Sequence, residues 1–210
     1  MVVRRWVEPN QDQLEAKEIQ SVIDKYTSMA QRLKNQCHAF SNSGINDEFL
    51  LGTLKKTINE IDATKKILEK KLFELIDRGF HRELNLITSV SGIGKATACL
   101  IISKIGNCST FQRSGQLTSY FGITPVESYS GTSLNSKGVV SRMGSSKVRA
   151  KLYMCAVSSF RSNPQVMAMR KRMKDNGKHN MKIIVAAMNK LVRQVFGVLK
   201  SGEPFNPKYL

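Results

Sequence analysis

The second part of this 210-residue sequence has very few acidic residues. After residue 80 there are four, Glu83, Glu127, Asp175 and Glu203, against 20 Lys and Arg, which gives this part a charge of +16. Residues 1–80 are nearly balanced, with 13 basic and 12 acidic residues, and the net charge of the whole chain is +17. A polyanionic partner is the simplest reason for a protein to tolerate such self-repulsion.

Ligands for metals and residues for disulfides are also scarce. The four cysteines show no C-x-x-C spacing, and the three histidines lie far apart in the sequence, with no pair of carboxylates near them. We therefore predict no metal site and no two-metal nuclease centre in the basic part, and reduced cysteines in a cytoplasmic protein. No apolar run approaches the roughly 18 residues of a membrane-spanning helix, so we expect no membrane partner.

The balanced part has the periodicity of two long helices. Apolar residues recur mostly every three or four positions over residues 11–37, which is typical of an amphipathic helix. Over residues 47–77 the spacing alternates between four and three, with Lys65 in one seam position, and this is a heptad pattern.

The composition changes near Gly79, and we place a domain boundary there. Residues 1–78 are predicted to form a long helical hairpin or coiled coil that joins copies of the chain, and two core helices of a single globule are the alternative. Residues 79–210 are predicted to form a compact helical domain, so the fold class is all-α. Within it, residues 183–202 are apolar on most sides and are expected at the centre of the core.

A Gly-Ile-Gly turn is the first candidate binding element. Gly92, Ile93 and Gly94 follow one predicted helix, and Lys95 begins the next. This arrangement resembles a helix-hairpin-helix, whose backbone N–H groups suit a phosphate oxygen while the isoleucine packs inward. Such binding is indifferent to base sequence. A helix–helix turn without a ligand is the alternative.

A serine-rich stretch, ESYSGTSLNSKG at residues 127–138, interrupts the helices, and its Ser and Gly residues favour a loop. Cations follow at the start of the next predicted helix, where they oppose the macrodipole and indicate an anionic ligand. A serine in such a loop could attack a phosphodiester held by these cations, but the residues alone favour an ordinary loop, since no group nearby removes the hydroxyl proton. The candidates are Ser130 and Gly131, followed by Lys137, Arg142, Lys147 and Arg149.

The order of these motifs resembles that of a transposase family. It is the insertion-sequence family of RNA-guided recombinases, which also includes Piv-type DNA invertases. The resemblance is to the C-terminal domain of that family and covers about residues 84–206, and the preceding helices resemble its coiled-coil segment. The matching segments are SVSGIGKATACLIISKIG, QLTSYFGITP, YSG, SRMG and NGKHNMKIIVAAMNKLVRQVFGVLKSGEPF.

The resemblance implies a role for the serine and a set of partners. Ser130, in the Ser-Gly pair after GITP, would become covalently joined to DNA, and the basic segment from Arg142 to Arg149 would hold the scissile phosphate. DNA and a guide (bridge) RNA would be partners of a homodimer or homotetramer, in the nucleoid of a prokaryotic cytoplasm.

The family also has an N-terminal RuvC-like domain, in which four acidic residues bind magnesium. That domain is absent from this sequence, so we expect no cofactor in this chain, magnesium only together with that domain, and no strand exchange by this chain alone. The alternative is a non-catalytic helix-hairpin-helix protein that binds DNA or RNA as a regulator or assembly subunit.

Overall fold

Helices account for most of the protein, and the predicted all-α fold class is confirmed. The chain forms two compact units, Glu8–Gly79 and Phe80–Leu210. In the described part of the chain, no helix is both long enough and apolar enough to cross a membrane. The computed structural model describes residues 10–44, 47–126, 129–130, 134–135, 139–140 and 143–208.

The first unit is an antiparallel pair of helices, as the periodicity predicts. Helix α1 is Gln11–Asn42, and helix α2 is Glu48–Ser89. The backbone of Phe80 departs from helical geometry, with φ −140° and ψ 35°, and this kinks α2. Residues early in α1 form ion pairs with residues late in α2, and Lys34, late in α1, pairs with Asp62, early in α2, which is the pairing of a hairpin. These ion pairs are Asp12–Arg78 at 3.3 Å, Glu15–Lys71 at 3.4 Å and Lys34–Asp62 at 3.2 Å.

The predicted heptad seam of α2 is buried at Ile58, Leu72 and Leu75, while Lys65 is half-buried. The amino groups of Lys34 and Lys65 both donate to the carboxylate of Asp62, at 3.2 and 3.3 Å. These hydrogen bonds lower the pKa of Asp62 below its usual value. Acidic and basic side chains of this unit therefore compensate one another.

The second unit contains the end of α2 and five further helices. Eight of the eleven residues of α3 are buried, whereas α7 buries residues along one face and packs with it against α4, α5 and α6. This packing against three helices agrees with the expectation that residues 183–202 lie at the centre of the core, and α3 is a second largely enclosed helix. The bounds are α3 Lys95–Ile105, α4 Ser114–Tyr120, α5 Ser146–Ser162, α6 Pro164–Asp175 and α7 Asn180–Ser201.

Between α4 and α5 the chain forms two short antiparallel ladders. Their register is nested, with Pro125 opposite Val140 in the outer ladder and Ser130 opposite Leu134 in the inner one. The described positions of the serine-rich stretch, predicted to be a loop, thus lie in paired strands, where aromatic and β-branched residues are favoured. We call residues 125–140 the serine hairpin. Its strands are β1 Pro125–Val126, β2 Tyr129–Ser130, β3 Leu134–Asn135 and β4 Val139–Val140.

A buried amide network fastens the helices of the second unit together. Asn163 is fully buried, and its Oδ1 accepts a hydrogen bond from the amide of Val166, which caps α6. Its Nδ2 donates to the carbonyl of Ser91 at 3.1 Å and to Oε1 of Gln194 at 2.9 Å. Gln194 in turn donates to Gln165 at 2.9 Å. One side chain therefore connects the α2–α3 turn, α6 and α7.

Replacing Asn163 by Ala should lower the free energy of unfolding by about 2–4 kcal/mol, because a helix cap is lost and buried polar partners are left unsatisfied. Urea denaturation measures this difference. Asn176→Ala is the matched control, since Asn176 is exposed just after α6, and it should stay within about 0.5 kcal/mol of the wild type. Equal effects of the two changes would contradict the role given to the network.

Candidate functional site

The segments before and after the serine hairpin come close together at two glycines, Gly122 and Gly144. A side chain at Gly144 would overlap the carbonyl group of Phe121 and the amide nitrogen of Gly122. A Cβ on Gly122 would lie 2.7 Å from the amide nitrogen of Gly144, and Gly122 has a φ of +67°, which favours glycine. Both positions therefore need glycine for the two segments to come this close.

The side chain of Arg149 and the core fix this junction from both sides. Nη1 of Arg149 donates to the carbonyl oxygen of Gly144 at 2.7 Å. On the other side, Phe121 and Ile123 are buried, and the amide of Ile123 donates to the carbonyl of Thr118 at 3.0 Å. The serine hairpin is thus held at its base.

The structure brings the start of the basic helix α5 to this base. Ser130 lies in β2, within the hairpin. Lys147 and Arg149 lie in the first turns of α5 and are half-buried. The sequence indicated Arg149 as a phosphate ligand, but its hydrogen bond to Gly144 was not foreseen. The other three candidates of this group, Gly131, Lys137 and Arg142, lie outside the described residues.

The Gly-Ile-Gly turn also has a packing role that the sequence did not reveal. Gly92 has a φ of +103°, and a Cβ there would lie 2.7 Å from the Cβ of Ser159 in α5. Ile93 is buried, as predicted. Gly94 and Lys95 are exposed at the start of α3, which has no side-chain cap. Close packing explains Gly92, and phosphate binding by this turn stays a prediction.

Among the described residues, no group of three or more His, Cys, Asp or Glu side chains could hold a metal ion. These residues therefore do not fit the magnesium site that the resemblance implies for the RuvC-like domain. Three cysteines, Cys99, Cys108 and Cys155, are buried. Burial raises the pKa of the Cys108 thiol to about 11, so this thiol stays protonated at neutral pH.

The family model of the transposase IS116/IS110/IS902 family matches residues 84–172. This segment contains the Gly-Ile-Gly turn, the serine hairpin and α5. Through these residues the chain belongs to this transposase family.

Three relatives are similar over a longer part of the chain. The pilin gene-inverting proteins of Moraxella bovis and Moraxella lacunata are each 31% identical over 144 residues, 67% of this chain and 45% of theirs. An uncharacterized 43.6 kDa protein of the insertion element IS110 in Streptomyces coelicolor is 22% identical over 155 residues, 74% of this chain and 38% of its own. The matched part thus spans less than half the length of these relatives.

Gly144→Ala should destabilise this transposase domain by about 1–3 kcal/mol, because the added methyl group must push two backbone segments apart. Gly197→Ala is the control, since Gly197 lies in α7 with open space around it, and an alanine there should stabilise by about 0.5–1 kcal/mol. Urea denaturation reports both changes. If Gly144→Ala is as stable as the wild type, the glycine contact does not hold the hairpin.

Proposed function

We propose that this chain carries the nucleophilic serine of a DNA recombinase of the transposase type. The observation that supports this most is the family match across a hairpin that contains Ser130 and that is fixed at its base to the start of a basic helix. The names of the relatives, which invert a pilin gene or belong to an insertion element, support DNA as the substrate.

In the proposed reaction, Oγ of Ser130 attacks the phosphorus of a DNA phosphodiester. A serine–phosphate bond forms while the bond from phosphorus to one deoxyribose oxygen breaks, and that oxygen takes up a proton. The hydroxyl proton leaves to a base, which in this proposal belongs to the RuvC-like part. The phosphoserine link preserves the phosphodiester energy, so that a hydroxyl group of another strand can attack it and release the serine.

The cations of the site stabilise negative charge on the phosphate during this attack. In the proposal these are Lys137, Arg142, Lys147 and Arg149, and the exposed backbone at Gly94 and Lys95 binds the DNA backbone nearby. Arg149 has further N–H donors besides the one bound to Gly144, so it can serve both roles.

Contacts of this kind bind phosphates and carry little base specificity. We therefore assign the choice of target to a guide RNA, as the family resemblance implies. The base and the magnesium would come from a RuvC-like part, and strand exchange would require that part together with this domain.

Ser130→Ala should abolish recombination when the chain acts together with the RuvC-like part and the guide RNA of its element. Loss of a nucleophile should lower product formation by on the order of 10³-fold or more. A gel assay of recombined DNA measures this loss, and mass spectrometry of nuclease-digested protein should find a nucleotide on Ser130 in the wild type. DNA binding by the variant should be retained.

Ser133→Ala is the matched control for this experiment, since Ser133 is a serine of the same serine-rich stretch, three positions further along the sequence. It should leave recombination within about twofold of the wild type. Unchanged recombination by Ser130→Ala would refute the catalytic role and favour a non-catalytic nucleic-acid-binding protein.

We also assign assembly to the helical hairpin Glu8–Gly79. Several large apolar side chains of this unit are exposed, among them Ile67 at 69% and Met29 at 47%. A second copy that covers them would remove this apolar surface from water.

Ile67→Glu should therefore shift the sedimentation coefficient of the chain from dimer or tetramer towards monomer, because a carboxylate would be buried at the contact. Asn59→Glu, at another exposed position of α2, should leave the oligomer unchanged. A monomeric wild-type chain would contradict this assignment.

A further inference from the structure

A dense group of uncompensated cations lies at the end of α6 and in the turn that leads to α7. Residues 170–182 contain six basic side chains and one acid, Asp175. All six are exposed, and none of them forms an ion pair with a described residue. In the unit Glu8–Gly79, by contrast, five ion pairs compensate the charges. The six cations are Arg170, Lys171, Arg172, Lys174, Lys178 and Lys182.

The helix dipoles explain some of these cations and oppose others. Arg172 and Lys174 lie in the last turn of α6, where the macrodipole favours positive charge. Lys178 and Lys182 flank the first residues of α7, where the macrodipole disfavours it. Arg170 and Lys174 are four residues apart on α6, a spacing at which like charges repel. Fold stability alone therefore does not account for the cluster, and an anionic partner does.

Arg170, the first residue of the cluster, lies near the C-terminal end of α5, whereas the serine hairpin is held near the start of that helix. The Cζ atom of Arg170 lies 4.7 Å from the ring centre of Phe160. Phe160 follows Ser146, the first residue of α5, by 14 residues, which at 1.5 Å per residue is about 21 Å of helix. In duplex DNA, with 3.4 Å per step along each strand, this length corresponds to about six base pairs. Arg170 thus lies about this far from the start of α5, beside which the proposed function puts the phosphate that the serine attacks.

We propose that residues 170–182 form a second phosphate-binding surface, which binds the backbone of duplex DNA about six base pairs from the bond attacked by Ser130. Its distance from the reacting bond rests on the proposed function, whereas the binding itself does not require Ser130. Flexible lysines bind phosphates as point charges, so this surface orients the duplex without reading its sequence. The choice of duplex DNA follows from the substrate proposed for the serine.

The test is a triple variant, Lys171→Gln with Lys174→Gln and Lys178→Gln. Fluorescence anisotropy of a labelled 20-base-pair DNA duplex is measured over a range of salt concentrations. Each phosphate contact contributes about 0.9 to the slope of log K against log salt, so the variant should lose about 2–3 from the slope. The control variant, Lys55→Gln with Lys56→Gln and Lys66→Gln, removes the same charge from exposed positions of the helical hairpin and should lose less than about one.

An equal loss of slope in both triple variants would show a general charge effect and overturn the proposal, as would an unchanged slope in the first. Circular dichroism confirms that both variants are folded. The same titration with a 20-base-pair RNA duplex tests the choice of DNA, and a loss confined to RNA would refute it.

The combination with Ser130→Ala separates this surface from the catalytic proposal. If Ser130 has no catalytic role, the slope difference of the first triple variant persists in the Ser130→Ala background. If the surface does not exist, recombination still depends on Ser130 while the slope does not change. DNA with fewer than about six base pairs beside the reacting bond cannot reach the second surface, so the wild type and the first triple variant should form equal amounts of recombined product on it. A difference in product that persists on this short DNA would overturn the proposed spacing.

Discussion

The backbone contact between Gly122 and Gly144 is the constraint on which the arrangement of the second unit depends. It closes the serine hairpin at its base and fixes where α5 begins, because α5 starts two residues after Gly144. Near its other end, α5 lies against Gly92, which has no side chain to hold Ser159 away. Because Gly92 and Gly144 have no side chains, α5 can lie close to the α2–α3 turn near one end and to the segment after α4 near the other. Arg149 then secures the junction with one hydrogen bond, at a point where a side chain on glycine would have no room.

Local sequence patterns were sufficient to predict much of this fold. They did not predict the features that depend on contacts between residues far apart in the sequence. The spacing of apolar residues predicted the hairpin of α1 and α2 and the helical second unit, because periodicity is a property of each segment alone. Strands of two residues, such as Tyr129–Ser130, are too short to show an alternation of apolar and polar residues, so the serine-rich stretch was predicted to be a loop. The glycines of the Gly-Ile-Gly turn suggested a ligand, and the reason for Gly92 is its neighbour Ser159, 67 positions away. No sequence pattern links Asn163 to Ser91 and Gln194.

For the candidate site, composition indicated the kind of partner but not the geometry. The excess of basic residues after residue 80 is visible in the sequence, and so is the serine beside it. Arg149 is bound to Gly144, whereas the cations of residues 170–182 make no ion pairs with described residues. This difference depends on how the helices pack. The same residue types thus have different roles, since a guanidinium that holds a backbone carbonyl has fewer donors left for phosphate.

The separation between the serine hairpin and the cluster at 170–182 has a mechanical consequence for the proposed recombination. A single patch of cations beside Ser130 would hold a phosphate but would allow the duplex to rotate about that point. Two patches joined by α5, a helix packed against α3, α6 and α7, would fix both the position and the direction of the DNA. Because neither patch reads bases, the protein could accept any sequence that a guide RNA selects. In this proposal, α5 connects the two sets of phosphate contacts, while the choice of sequence remains with the guide RNA.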